Sequence, residues 1–195
     1  MYTLRAFPLN PNWPIPDQRE CLTLWRKYQM PKNIQEHSWL VGNIARQIFS
    51  LAKDKISLPI ALGYAAGLLH DLGKNYTIKN GGAHSQIGAS LVLSHFFNPA
   101  LGQAILHHVH WPGPLAVPEF FLPLTIIYSD KRAKHNQLVS LQERFDDLLI
   151  RYGTTEAKTK LIQKSYQQAL DIERLLSQFL GVDLRAYSFS CRRMV

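Results

Sequence analysis

The chain has 195 residues, 46% hydrophobic and 18% charged, with a formal charge of +8. This composition excludes a mostly disordered protein, and the length suits one compact domain with an appendage. Two widely separated cysteines, Cys21 and Cys191, exclude a disulfide framework and a cysteine-based zinc site, so a reducing, cytoplasmic compartment is expected. The most apolar stretch, Ile60 to Leu69, is too short to span a bilayer, so a soluble chain with no membrane partner is expected. The basic balance suits an anionic partner without naming one. Its local concentrations are Lys131-Arg132-Ala133-Lys134 and the pair Arg192-Arg193.

Met1 to Pro16 holds four prolines and no apolar core segment. Proline removes a donor and restricts its predecessor, so residues 1–18 read as an extended arm and not as a signal peptide. Helical signals then dominate. Glu20 to Tyr28 is a short helix closed by Met30-Pro31. Asn33 is placed to cap the next, with Glu36 supporting it. That helix carries an apolar stripe of Val41, Ile44, Ala45, Ile48, Phe49 and Ala52. Ser57-Leu58-Pro59 opens a helix that is apolar nearly all round, predicted as the central one and ended by Gly73. Further helices are predicted from about Ala83 to Phe97 and from Asn98-Pro99 to near His108, followed by a proline-rich loop over residues 111–118. Leu122 to His135 reads as helix. Ser140 and Glu143 form a capping-box pattern for the helix that Gly153 stops. A long helix runs from about Thr155 to Leu180, with a stripe of Leu161, Leu176, Phe179 and Leu180 that suits either packing on the body or homodimerisation. No alternating strand pattern of useful length occurs. The fold class is therefore all-α, divided into the arm, a body over residues 19–153, and the last helix with a basic tail over residues 154–195.

Ionisable residues interrupt several apolar stripes. His70-Asp71 follows the most apolar helix. His37 shares a face with Val41, Ile44 and Ile48; His108 with Leu101, Ala104 and Ile105; Asp130 with Pro123, Ile126, Ile127 and Ala133. Any one of these reads well as a core side chain satisfied by a backbone group. Four such cases on different helices point to a shared cation, which neutralises carboxylate and accepts imidazole nitrogen.

The ordered set His37, His70-Asp71 and Asp130 resembles the H…HD…D signature of the HD-domain metal-dependent phosphohydrolases. The local strings Glu36-His37-Ser38, Leu-Leu-His-Asp-Leu-Gly-Lys and Tyr-Ser-Asp-Lys-Arg match as well. The resemblance covers roughly Glu20 to Gly153 and implies an HD-domain helical bundle. It implies that His37, His70, Asp71 and Asp130 hold a divalent cation. Further histidines mark the two-metal branches, and His84, heading His-Ser-Gln-Ile-Gly-Ala, resembles their H-x-x-x-G-A element. There Asp71 would bridge, with His84 and His108 completing a second site. His108 is favoured over its neighbour His107 by its helical face.

The implied activity is phosphohydrolysis of a nucleotide-type substrate by a metal-activated hydroxide. The ion count, one or two, and its identity among Mn, Fe, Co, Ni and Zn stay open. Asp71 and Lys74 are the expected catalytic residues, and Lys74, Lys131, Arg132 and His107 the expected substrate-binding ones. For Lys131 and Arg132 a solvated helix end is an equal reading. In ligand order the chain is most similar to the symmetrical dinucleoside-tetraphosphate hydrolases. A phosphodiesterase or phosphatase acting on nucleic-acid ends or mononucleotides is the alternative. A nucleotide sensor without turnover is the reading from another class, and a plain helical interaction module would leave His70 and Asp130 unexplained.

Overall fold

The computed structural model describes residues 4–7 and 10–190; Cys191 and Arg192-Arg193 lie outside the described residues. The described part of the arm has no helix or strand before residue 18 and lies along the body. Asn98 Nδ2 donates to the Pro14 carbonyl (3.1 Å) and Gln103 Nε2 to the Arg5 carbonyl (3.0 Å).

Helix α1 (Gln18–Lys27) begins two residues earlier than predicted, because Asp17 forms a reciprocal capping box with Glu20. It is pinned to the body by Trp25, whose indole N–H donates to the Leu68 carbonyl at 2.8 Å. Helix α2 (Lys32–Leu51) starts directly after Pro31, whose carbonyl accepts from Ile34 and Gln35. Asn33 lies inside the first turn and is not the cap. Proline supplies the helix entry itself, since its φ is preset near −60°. The stripe from Val41 to Ala52 is fully buried.

Helix α3 (Ile60–Leu69) crosses α2 at glycine-to-glycine distance. A Cβ on Gly67 would sit 2.5 Å from the Gly42 Cα, so only glycine permits this approach. The chain then turns through residues 70–73 into α4 (Lys74–Asn80), which the sequence reading did not anticipate. No residue of α4 is buried, so it has no apolar stripe to betray it. Gly73 is not a left-handed helix stop, since its φ is −77°. It is small because a Cβ there would lie 2.3 Å from the His84 carbonyl and 2.7 Å from Gly88 N.

Helices α5 (His84–Phe96) and α6 (Pro99–Leu106, capped by Asn98) form an antiparallel pair. Helix α7 (Phe121–Lys131) is the most enclosed, with every residue buried. It ends at Lys131 and not at His135. A short antiparallel hairpin of β1 (Ala133–Lys134) and β2 (Gln137–Leu138) follows, and His135 in its turn has φ 56°, which a right-handed helix cannot hold. Helix α8 (Leu141–Tyr152) has the predicted Ser140–Glu143 capping box. Helix α9 (Glu156–Leu180) packs on α7 and α8 through Ala169, Ile172, Leu176 and Leu180. Leu161 is 67% exposed and does not belong to that stripe. The architecture is all-α, and among the described residues no helix is long and apolar enough to cross a membrane.

Candidate metal centre

Five elements meet where their helix ends converge. His37 comes from the second turn of α2, His70 caps the C-terminus of α3, and Asp71 begins the turn after it. His84 is the first residue of α5, His108 lies two residues beyond α6, and Asp130 is in the last turn of α7. Gly73 presses this turn against α5 opposite Gly88, which explains why both glycines stand at these motif positions: their backbones bring His84 within reach of Asp71.

Asp71 sits at the centre, fully buried. Its Oδ2 faces His70 Nε2 (3.3 Å) and His37 Nε2 (3.8 Å), and these two rings also face Asp130 Oδ1 (3.7 and 3.0 Å). Its Oδ1 faces the other way, toward His84 Nε2 (3.4 Å) and His108 Nε2 (3.5 Å), which are 3.0 Å apart. His70 Nδ1 donates to the Gly67 carbonyl and His108 Nδ1 to the Ile105 carbonyl, each at 2.7 Å. Both rings are thereby oriented with Nε2 toward Asp71.

The buried atoms at the centre are short of partners. Among the described residues, His70 Nε2 and both Asp71 oxygens find no aligned hydrogen bond, although Lys74 Nζ forms an ion pair with Asp71 Oδ2 at 2.6 Å. Buried polar atoms seldom go unsatisfied. Among the described residues, two triads have potential ligand atoms within 4.8 Å of one another: His37, His70 and Asp130, and His70, Asp71 and His108. A donor set of imidazole nitrogens and carboxylate oxygens fits a first-row divalent cation.

The electrostatics agree with that fit. Burial disfavours charge on Asp71, but His70 and Lys74 outweigh it and hold the carboxyl well below its usual range. Asp130 is lowered likewise, burial being overcome by Lys131 and His37. Burial also opposes a charged His70, yet the Asp71 and Asp130 carboxylates push its pKa up to about 9. Burial dominates at the other rings, lowering His37 and His108 and taking His84 down to about 4. Burial opposes charge on Lys74 too, but Asp71 and Asp130 raise its pKa and keep it cationic.

The cluster floors a cavity of about 670 Å³ walled by α4, α8 and α9. Lys74 and Lys131 both line it, the latter paired with Asp130 Oδ2 at 2.5 Å. Two expected substrate groups do not. Arg132 turns away from the cavity, where its Nη1 meets the Tyr128 hydroxyl, the Leu184 carbonyl and Glu173 and its Nε donates to the Val139 carbonyl. His107 caps α6 and packs its ring edge-on against Trp111, centroids 5.4 Å apart. The sequence reading missed Arg144, Arg151 and His135, all on the cavity wall. Arg144 and Arg151 share a face of α8 at a spacing of seven, a signal that a solvated amphipathic helix gives equally well.

The HD domain family matches residues 34–147, a stretch that contains all six clustered residues. Ribonuclease Y of Aquifex aeolicus (strain VF5) is 33% identical over 99 residues, 51% of this chain and 17% of that protein. Ribonuclease Y of Protochlamydia amoebophila (strain UWE25) is 32% identical over 91 residues, 47% of this chain and again 17% of that protein. The chain thus spans about a sixth of the length of these curated relatives. No solved structure matches it. With the matched stretch covering more than half of its residues, the chain belongs to the HD-domain family.

Proposed function

We propose that this chain is a metal-dependent phosphohydrolase that holds two divalent ions and cleaves phosphoester or phosphoanhydride bonds of a nucleotide-type substrate. The observation that carries the reading is the division of Asp71, one oxygen facing His37 and His70 and the other facing His84 and His108. His37, His70, Asp71 and Asp130 would hold one ion, and Asp71, His84 and His108 the second. A bound ion supplies a Lewis acid for phosphoryl oxygens and lowers the pKa of water.

The chain's own residues do the rest. Lys74, cationic and one-third exposed beside Asp71, binds a phosphoryl oxygen and offsets charge that grows on it. Lys131 neutralises Asp130 and lines the same wall. A cavity of this size encloses a nucleotide and limits water around the reacting group.

Among nucleotide-type substrates, likeness to two ribonucleases favours an RNA phosphodiester as a second reading. Dinucleoside tetraphosphates, suggested by ligand order, remain one member of the first class. Protein loaded with Mn or Fe is assayed for phosphate release from a nucleotide library and for shortening of single-stranded RNA. Metal-dependent turnover abolished by chelator supports the reading, and the responding substrate separates the two classes. Metal-loaded protein that binds nucleotides without ever turning them over contradicts it and makes the chain a sensor.

A further inference from the structure

We propose that Arg144 and Arg151 form a subsite for a second phosphate, so that the preferred substrate carries another phosphoryl group besides the one attacked. The inference rests on the phosphohydrolase reading and adds a substrate requirement to it.

The cationic groups of the cavity fall into two sets. Lys74 and Lys131 are tied to Asp71 and Asp130 at 2.6 and 2.5 Å, inside the metal cluster. Arg144 and Arg151 belong to α8 and touch neither carboxylate. Both converge instead on Asp147, which Lys134 also approaches: Arg144 Nη1 at 3.4 Å, Lys134 Nζ at 3.4 Å, and Arg151 Nη2 in direct contact. One carboxylate thus faces three cations and leaves an excess of two positive charges. Arg144 has only 12% of its side chain exposed, and its buried Nε has no hydrogen-bond partner among the described residues. A guanidinium has five donors in a planar fork, and those that Asp147 leaves free match phosphate oxygens. Arg144 also lies near enough to Lys74 for its charge to oppose that of the lysine. The two arginines are seven residues apart, about 10 Å of helix rise, so they extend the basic wall away from the floor. Tyr152 and Leu161, both exposed at the cavity, offer apolar cover for a base beside that wall.

A second phosphoryl group occurs both in a short oligonucleotide and in a nucleoside polyphosphate. Two substrate pairs separate these sources: TpT against 5′-phosphorylated pTpT, and AMP against ADP. Each is measured with metal-loaded protein for hydrolysis and, by calorimetry, for binding. The wild type should favour the richer member of one pair by about tenfold, and Arg144→Gln/Arg151→Gln should collapse that ratio toward one. Arg151→Lys should keep part of the preference. If the double variant melts earlier, Arg151→Gln alone decides, since that side chain is more than a third exposed. A wild-type ratio near one in both pairs, or a preference unchanged in the arginine variants, overturns the inference while leaving hydrolysis intact. If none of the four is hydrolysed, the binding ratio still decides the subsite, and the nucleotide library and RNA assay decide the phosphohydrolase reading.

Discussion

The floor and the wall of the cavity are built by opposite means. The floor is assembled by apolar helices that meet at backbone distance: Gly67 on Gly42, and Gly73 on the start of α5. The clustered histidines and aspartates are positioned by that packing. The wall is amphipathic: α8 and α9 pack through Phe145, Ala169 and Ile172, their cavity face carries ion pairs around Asp147, and α4 contributes no buried residue. Packed interiors resist small displacements, whereas ion pairs that solvent reaches, as at Arg151 and Lys134, contribute little stability. On the proposed reading, the packed part would bind the ions and the ion-paired face would select the substrate.

Lys74 stands at the junction and offers the largest effect. Lys74→Ala should leave metal content unchanged and lower turnover by about a hundredfold, the scale of a lost charge-stabilising donor. Metal loss in that variant would move Lys74 from wall to floor. Gly73→Ala changes packing alone. The added methyl meets the His84 carbonyl and Gly88 N, so it should cost about 1–3 kcal/mol of stability and weaken the half of the site that contains His84. A melting temperature and metal affinity equal to wild type would show that the floor is not fixed by this contact.

The smallest effect is a proton count. In the metal-free protein His70 has a pKa of about 9, above the ordinary 6.5, because Asp71 and Asp130 overcome its burial. At pH 7.5 metal uptake should therefore expel about one proton, read by calorimetry in buffers of different ionisation enthalpy. The same shift adds stability to the metal-free chain that is complete below pH 6.5 and lost as the pH rises through about 9. Uptake without proton release would place the ion away from His70.

How much of this was legible in the sequence follows the same division. His37, Asp130 and the HD pair stood out because each interrupts an apolar helical stripe, and the structure brings their side chains together. His108 was separable from His107 on the same ground: one ring is buried at the floor while the other packs on Trp111. The wall left no such signal. Arg144 and Arg151 look like the polar face of any surface helix, and α4 is too polar for its periodicity to show. Arg132 misled for a tertiary reason, since Glu173 of α9 and the Leu184 carbonyl draw its guanidinium away from the cavity. Asn33 misled because Pro31, two residues earlier, starts the helix unaided.

Elemental analysis of the chain purified with Mn or Fe, beside Asp71→Ala, tests the central claim most directly. Two ions per wild-type chain, with loss of bound metal in the variant, are predicted. A wild type without stoichiometric metal, or a variant that retains as much as the wild type, would contradict it.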